Sequence, residues 1–202
     1  FAHDQVLLRR AAVPERRKGW PHTAPVEFGP AAFINRARKG GARDFGACMS
    51  PHTAFLILQG LETLSLRMEK HISNTRDIVS FLNEHKEVKS VSYPELENHP
   101  DNKLAQEILP RGCGAVFTFE IEGGLESGKK FIESLNIFSH LANVGDAKSL
   151  VIHPASTTHH RMDTLALKNA GISESTVRLS IGIEDINDLK EDLDEALKQA
   201  NR

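Results

Sequence analysis

The sequence predicts an α/β fold in which helices cover one face of a small sheet, and two observations carry this prediction. Apolar residues recur at steps of three, four or seven over 51–85, the spacing of one long amphipathic helix. Beyond that segment, stretches with the two-residue period of strands alternate with stretches that have helical spacing. Strands and helices that share one core in this way form a sheet packed against helices. The sequence shows no internal repeat and no sign of a second domain.

The long helix is predicted to begin at Ser50 and Pro51. A serine at this place accepts hydrogen bonds from free backbone N–H groups of the first turn, and proline presets the helical φ where its missing N–H costs nothing. The apolar stripe predicts that the helix packs against the core. Its members are Leu61, Leu64, Met68, Ile72, Val79 and Leu82.

The remaining elements follow from shorter patterns. Apolar residues at every second position predict a strand with at least one buried face around Phe117 and Phe119. We expect, in chain order, a strand at 88–93, a helix that ends before Pro110, a strand at 115–121, a helix at 125–135, a strand, a loop and a strand within 137–152, a helix at 161–170, a strand at 176–183 and a final helix capped by Asp185.

Composition excludes several classes of protein. The chain has 202 residues, of which 40% are hydrophobic and 26% charged, with a net charge of -2, so we expect no nucleic acid as its main partner. The longest apolar run covers only 54–58, whereas a membrane-spanning helix needs roughly 20 residues, so we expect no membrane partner either. Two cysteines make neither a disulfide framework nor a zinc site, which favours a reducing, cytoplasmic location.

The first 50 residues differ from the rest in charge. They carry nine Lys and Arg against four Asp and Glu, and the basic residues stand among prolines with no sustained period. We expect an irregular, flexible basic arm at 1–27 with a solvated surface, although a nucleic-acid or membrane role for this arm stays open. The first residue is Phe1 rather than Met, so we expect the chain to be part of a longer one.

The strand at 176–183 holds the first candidate for chemistry. Its two-residue period places Val177 and Leu179 on one face and Arg178 on the other, among small residues. A guanidinium in such a setting can bind a carboxylate through two parallel hydrogen bonds. The alternative is a structural ion pair of Arg178 with Glu184 or Glu120.

A second candidate is the loop at 143–149. Its Gly, Asp and Ser residues can direct backbone N–H groups and a hydroxyl at an anion, whereas Lys148 is expected to be a surface charge. Three histidines follow, at 153, 159 and 160. Adjacent side chains diverge and no acidic cluster accompanies these histidines, so we expect no metal site.

Four stretches, at 50–68, 143–149, 153–159 and 177–184, resemble a known family. They begin with Ser-Pro-His-Thr-Ala-Phe-Leu, Asn-Val-Gly-Asp-Ala-Lys-Ser, His-Pro-Ala-Ser-Thr-Thr-His and Val-Arg-Leu-Ser-Ile-Gly-Ile-Glu. Together they are similar to the C-terminal part of the cystathionine and methionine metabolism enzymes that depend on pyridoxal phosphate. Within that family, Gly-Asp-Ala-Lys-Ser at 145–149 favours the O-acetylhomoserine sulfhydrylases over the cystathionine lyases and synthases.

The resemblance runs from about Phe28 to the end and carries several implications. It implies that residues 28–202 form the small C-terminal domain of a fold-type I transferase. Such an enzyme replaces the acetate of O-acetylhomoserine by sulfide or a thiol, giving homocysteine or methionine, with pyridoxal phosphate as the electron sink. It further implies that Arg178 binds the α-carboxylate of a small amino-acid substrate, that Ser149 lies beside it, and that the full-length enzyme is a homo-oligomer.

The resemblance does not extend to the large cofactor domain of the family. There the cofactor lysine lies in a Ser-x-x-Lys turn upstream of the Ser-Pro helix; the segment 127–130 has this spacing but falls on a predicted charged helix. We therefore assign no catalytic, cofactor-binding or metal residue and expect this chain to be inactive by itself. Residues 1–27 do not resemble the family. A non-catalytic amino-acid-binding module, an assembly element and a fragment of a cystathionine lyase or synthase remain alternatives.

Overall fold

A computed structural model of the chain describes residues 31–200. The chain divides into two units, with the boundary between Gly60 and Leu61. The described helices up to this boundary are α1 (Ala32–Arg36), a π-helical segment (Ala37–Ala42), α2 (Arg43–Phe45) and α3 (Pro51–Glu62), whose last two residues lie beyond it. The basic arm expected at 1–27 lies outside the described residues.

The predicted start of the long helix is confirmed at Ser50. Its hydroxyl accepts a hydrogen bond from the Thr53 N–H at 3.1 Å, and its carbonyl accepts one from the Ala54 N–H at 3.0 Å. The prediction of one continuous helix is wrong, because α3 ends at Glu62 and a second helix, α4 (Leu64–Asn83), begins after Thr63. Thr63 has φ -104° and ψ 5°, away from helical values. Threonine is a weak helix former because its β-branched side chain loses rotamer freedom in a helix.

The apolar stripe of the long helix is only partly buried. Val79 and Leu82 lie in the core, but Leu61 and Leu64 are 55% and 41% exposed. The expectation that the whole stripe packs against the core is therefore wrong for its N-terminal part. Periodicity shows that a helix has an apolar face but cannot show what covers that face.

The second unit is built around a five-stranded mixed sheet with strand order β1-β2-β5-β4-β3. Pairing is antiparallel except between β3 and β4. The strands are β1 (Val88–Ser92), β2 (Val116–Ile121), β3 (Ser139–His140), β4 (Leu150–Ile152) and β5 (Thr176–Ser180). The helices that accompany them are α4, α5 (Asn102–Ile108), α6 (Gly124–Ser134), a short 3-10 segment (Pro154–Ser156), α7 (Thr164–Asn169) and α8 (Ile186–Ala200).

The core of this unit lies on one face of the sheet, which confirms the predicted fold class. Alternate residues of β2 and β5 point to this face, and Phe117 pairs with Leu179 as Phe119 pairs with Val177. They pack with buried residues of three helices, namely Ile78, Val79 and Leu82 of α4, Phe131 and Ile132 of α6, and Leu189, Leu193, Ala196 and Leu197 of α8. The opposite face of β5 carries Arg178.

Within residues 31–200, no helix is both long and apolar enough to span a lipid bilayer. Both cysteines are free thiols, with Cys48 exposed and Cys113 partly buried.

Candidate carboxylate-binding site

Arg178 lies at the middle of β5, the central strand of the sheet. Its neighbours on the adjacent strands are Thr118 of β2 and Ile152 of β4, neither of them charged. The guanidinium donates one hydrogen bond through Nη2 to the Asn143 carbonyl, at 3.3 Å. A guanidinium has five N–H donors, so a single bond to a carbonyl leaves the fork able to bind an anion.

The two glutamates considered as ion-pair partners of Arg178 are engaged elsewhere. Glu120 lies 3.7 Å from the Lys89 ammonium, and the Glu184 carboxylate accepts hydrogen bonds from Ser149. Within the described part of the chain, no carboxylate lies within 4.0 Å of the Arg178 guanidinium. The structural ion pair is therefore not what holds this arginine.

Arg178 borders a narrow gap between side chains, too small in this structure to hold a water molecule, which we call the Arg178 recess. Its apolar walls come from Leu141, Leu150 and Ile152, and Ser180 lines it together with the arginine. The loop after β3 closes one side, since the Asn143 carbonyl bonded to Arg178 belongs to this loop. One cation beside apolar walls is a setting in which a charge-assisted hydrogen bond is stronger than in water.

Ser149, the second predicted binding residue, lies immediately before β4 and is fully buried. Its N–H and its hydroxyl donate to the two carboxylate oxygens of Glu184, at 2.6 and 2.9 Å, and the hydroxyl accepts from the Gly182 N–H at 2.8 Å. Among residues 31–200, no hydrogen bond joins Ser149 to Arg178. The structure thus places the Ser149 side chain against Gly182 and Glu184 instead of beside the guanidinium.

Gly182 fits closely between the loop that precedes β4 and the side chain of Glu184. A Cβ at this position would come within 2.3 Å of Glu184 Oε2 and within 2.4 Å of the Ala147 carbonyl oxygen. The Ile183 N–H donates to the same carbonyl at 2.9 Å. Sequence reasoning missed this role of Gly182 and Glu184, although a glycine on the same strand face as Arg178 was the available signal.

Helix α4 fixes the backbone that follows β5. His71 Nδ1 lies 2.6 Å from the Ile181 carbonyl oxygen, and Asn74 Nδ2 donates to the carbonyls of Gly182 and Glu184 at 3.1 and 2.9 Å. Both side chains are 1% exposed. These residues were also missed; the signal was the presence of polar residues on the apolar face of a predicted helix.

The three histidines that follow the loop do not converge. His153 is buried, with Nδ1 2.8 Å from the Ser156 hydroxyl and Nε2 2.8 Å from the Glu174 carbonyl oxygen. Burial lowers the pKa of His153 below its ordinary value of 6.5, against the opposing effect of the Glu174 carbonyl. His159 and His160 form local bonds with Thr158 and Thr157. No group of three or more His, Cys, Asp or Glu side chains in the described residues is arranged to bind a metal.

Comparison with known proteins identifies the family. The sequence profile described as "Cys/Met metabolism PLP-dependent enzyme" matches residues 23–198, nearly the whole chain. The chain therefore belongs to the family of pyridoxal-phosphate-dependent enzymes of cysteine and methionine metabolism. The resemblance noted in the sequence is confirmed.

Three relatives show which enzymes of the family the chain is similar to. O-acetyl-L-homoserine sulfhydrylase 1 of Thermus thermophilus is 48% identical over 170 residues, covering 84% of this chain and 40% of the relative. The O-acetyl-L-homoserine sulfhydrylase of Leptospira meyeri is 49% identical, covering 83% and 38%. The L-methionine gamma-lyase of Pseudomonas putida is 40% identical, covering 87% and 44%. The chain thus spans about two fifths of the length of these relatives.

A solved structure shares the fold. An O-acetylhomoserine (thiol)-lyase of Campylobacter jejuni superposes with a TM-score of 0.76 at 39% identity, covering 84% of this chain and 40% of that one. That structure carries N'-pyridoxyl-lysine-5'-monophosphate, the cofactor joined to a lysine. The agreement confirms that the described sheet and helices belong to a fold of this enzyme class.

The residues of this chain can be tested against the cofactor of the family. A lysine that forms an imine with pyridoxal phosphate is activated by removal from water. None of the lysines within residues 31–200 is buried. Lys130, the lysine of the Ser-x-x-Lys spacing at 127–130, is exposed, and its neighbour Lys129 forms an ion pair with Glu126 at 2.8 Å. The described residues therefore do not fit the imine-forming part of a cofactor site, although the Arg178 guanidinium keeps N–H donors that can bind a carboxylate.

Proposed function

We propose that this chain is the substrate-carboxylate part of a pyridoxal-phosphate-dependent transferase that makes homocysteine or methionine from O-acetylhomoserine and sulfide or a thiol. The observation that carries the proposal is the Arg178 guanidinium, which lies in a recess with one hydrogen bond to a carbonyl and no carboxylate partner among residues 31–200. Two sulfhydrylases are 48% and 49% identical to this chain, whereas the L-methionine gamma-lyase is 40% identical. The higher identity to the sulfhydrylases supports a transfer reaction over an elimination.

In this proposal Arg178 binds the α-carboxylate of the amino acid through two parallel hydrogen bonds. The planar fork fixes the orientation of the carboxylate as well as its position, which a lysine ammonium cannot do. Because β5 is hydrogen-bonded on both sides, the backbone of Arg178 is held rigidly. A rigid clamp at one end of the substrate limits the orientations available to its Cα, Cβ and Cγ atoms.

Ser149 belongs to the proposed site through the loop that it anchors. Its bonds to Glu184 and Gly182 fix the end of the loop whose Asn143 carbonyl meets the guanidinium. The loop thereby forms the side of the recess nearest to Arg178. A small movement at Ser149 would shift this side relative to the bound carboxylate.

Calorimetric titration of the 202-residue chain with O-acetyl-L-homoserine tests the clamp. We expect saturable binding that Arg178→Ala abolishes and Arg178→Lys weakens about tenfold or more, since the lysine keeps the charge but loses the fork. Arg161→Ala, which changes an exposed arginine outside the recess, is the matched control and should leave the affinity unchanged. Equal affinity of the Arg178→Ala variant and the unchanged chain would rule out the clamp.

We further propose that the chain is inactive by itself. Pyridoxal phosphate supplies the electron sink when it is bound, but its lysine is not found among the described residues. On addition of the cofactor we expect no imine absorbance band and no homocysteine from O-acetylhomoserine and sulfide. The sulfhydrylase of Thermus thermophilus serves as the positive control. Formation of homocysteine by the purified 202-residue chain would contradict this proposal.

A further inference from the structure

The buried hydroxyl of Ser180 has no hydrogen-bond partner in the described part of the chain. Ser180 is 3% exposed, and its Oγ atom has no partner among residues 31–200. Burying a hydroxyl without a compensating hydrogen bond costs about 1–3 kcal/mol. Such a group in a folded protein therefore calls for a physical explanation.

Other buried hydroxyl groups in the same unit are satisfied. The Thr75 hydroxyl donates to the His71 carbonyl at 2.7 Å, and Thr176 Oγ1 accepts from the Ser173 N–H at 2.8 Å. The hydroxyl of Ser149 has two partners, as described above. Ser180 is the exception on β5, so the fold does not by itself account for its hydroxyl.

The position of Ser180 supplies an explanation. It lies two residues after Arg178, so both side chains point to the same face of β5, with Cα atoms about 7 Å apart. Both also line the Arg178 recess. The recess has no room for a water molecule in this structure, so an anion reaches both groups only when the loop of Asn143 moves away. The guanidinium N–H groups and the Ser180 hydroxyl can then donate to one anion, because they lie on the same face of β5.

We propose that Ser180 donates its hydroxyl proton to the same carboxylate that Arg178 binds. This inference rests on the proposed function and extends it, because it adds a neutral donor to the cationic clamp. Arg178 supplies the charge and the planar fork, and Ser180 supplies a third hydrogen bond from a different direction. A third donor fixes rotation of the carboxylate about the axis of the fork. The site would then select a carboxylate over other anions by shape as well as by charge.

The proposal predicts different effects of Ser180→Ala on the stability of the chain and on its affinity for the ligand. In the absence of a ligand, Ser180→Ala removes an unsatisfied buried hydroxyl, so the variant should unfold at the same temperature as the unchanged chain or at a higher one. A serine whose role was structural would give the opposite result, a lower unfolding temperature. Ser90→Ala makes the same chemical change at an exposed position of β1 and is the matched control.

Calorimetric titration with two probes measures the effect of Ser180→Ala on ligand affinity. The first probe is O-acetyl-L-homoserine, and the second is its amino alcohol, in which CH2OH replaces the carboxylate. We expect Ser180→Ala to weaken binding of the first probe about tenfold and to leave weak binding of the second unchanged, since hydrogen bonds to charged groups are the strong ones. Ser90→Ala should alter neither.

The outcomes separate this inference from the proposed function. Unchanged affinity of Ser180→Ala for the amino acid, with the expected loss in Arg178→Lys, would overturn the role of Ser180 and leave the clamp intact. Unchanged affinity of Arg178→Ala, or no saturable binding of the amino acid to the unchanged chain, would overturn both. A lower unfolding temperature of Ser180→Ala with unaltered affinity would show that its hydroxyl is structural.

Discussion

At the scale of single residues, His153 makes the stability of the chain depend on pH. Burial lowers its pKa, so the unfolded chain takes up this proton at a higher pH than the folded chain does. The resulting contribution to stability is present above about pH 6.5 and is lost as the pH falls below that value, at up to about 1.4 kcal/mol per pH unit.

Chemical denaturation between pH 7.5 and pH 5 measures this dependence. We expect the free energy of unfolding of the unchanged chain to fall more steeply toward pH 5 than that of His153→Gln, whose side chain can hydrogen-bond but does not titrate. His160→Gln, at an exposed histidine, controls for the loss of one imidazole. Parallel pH profiles for the unchanged chain and His153→Gln would show that this histidine is not the source of the dependence.

The candidate residues were predictable from the sequence to different degrees. Arg178 was found from the strand period alone, because alternation on a half-buried strand separates one cation from the apolar face. Ser149 was found as part of an anion-binding loop, and only its placement beside Arg178 came from the resemblance. Its contact with Glu184 depends on how the loop folds back on the segment after β5. The absence of a partner for the Ser180 hydroxyl among the described residues could not be predicted, because it depends on the positions of all the neighbouring side chains.

At the scale of elements, the link between β4 and the segment after β5 depends on a glycine. The position of Gly182 leaves no space for a methyl group, because the Ala147 carbonyl oxygen and the Lys148 carbonyl carbon lie within 2.4 and 2.6 Å of a Cβ built there. Both are backbone atoms and cannot move without displacing the loop. We expect Gly182→Ala to lower the free energy of unfolding by about 1–3 kcal/mol.

Gly60 provides the matched control for this prediction. It lies in α3, and no other described residue comes within 4 Å of a Cβ placed on it, so Gly60→Ala should raise the free energy of unfolding by up to about 1 kcal/mol. Urea denaturation of both variants makes the comparison. Equal stability of Gly182→Ala and the unchanged chain would mean that the close fit around Gly182 is not needed.

The order and types of the elements were largely predictable, but their extents were less so. The strand expected at 115–121 and the final helix after Asp185 are confirmed, and Asp185 Oδ1 accepts from the Asn187 N–H at 2.8 Å. The helix expected at 161–170 is shorter, because Asp163 caps it by accepting from the Ala166 N–H. The prediction of a single long helix is wrong at Thr63, because the low helix propensity of threonine interrupts the helix although the apolar period continues.

At the scale of the whole molecule, α3 carries a concentrated apolar surface. Phe55, Leu56, Ile57 and Leu58 are all exposed, at 46–58%. Contiguous apolar surface of this kind promotes association. We propose that this surface of α3 mediates contact between copies of the chain.

Sedimentation velocity of the 202-residue chain tests this proposal. We expect concentration-dependent self-association that Leu58→Glu reduces, because the charge interrupts the apolar surface of α3. Leu165→Glu introduces the same charge at an exposed leucine of α7 and should have little effect. A single monomeric species at all concentrations would contradict the expected association.

The central claim is that the Arg178 fork binds the carboxylate of an amino acid, and its Nε–H resonance reports this contact directly. The measurement is an NMR titration of the 15N-labelled chain with O-acetyl-L-homoserine, followed at that resonance. We predict a downfield shift that saturates with the ligand and is missing with the amino alcohol lacking the carboxylate. A resonance that stays in place while other signals of the chain shift would show that the carboxylate binds elsewhere and would contradict the account.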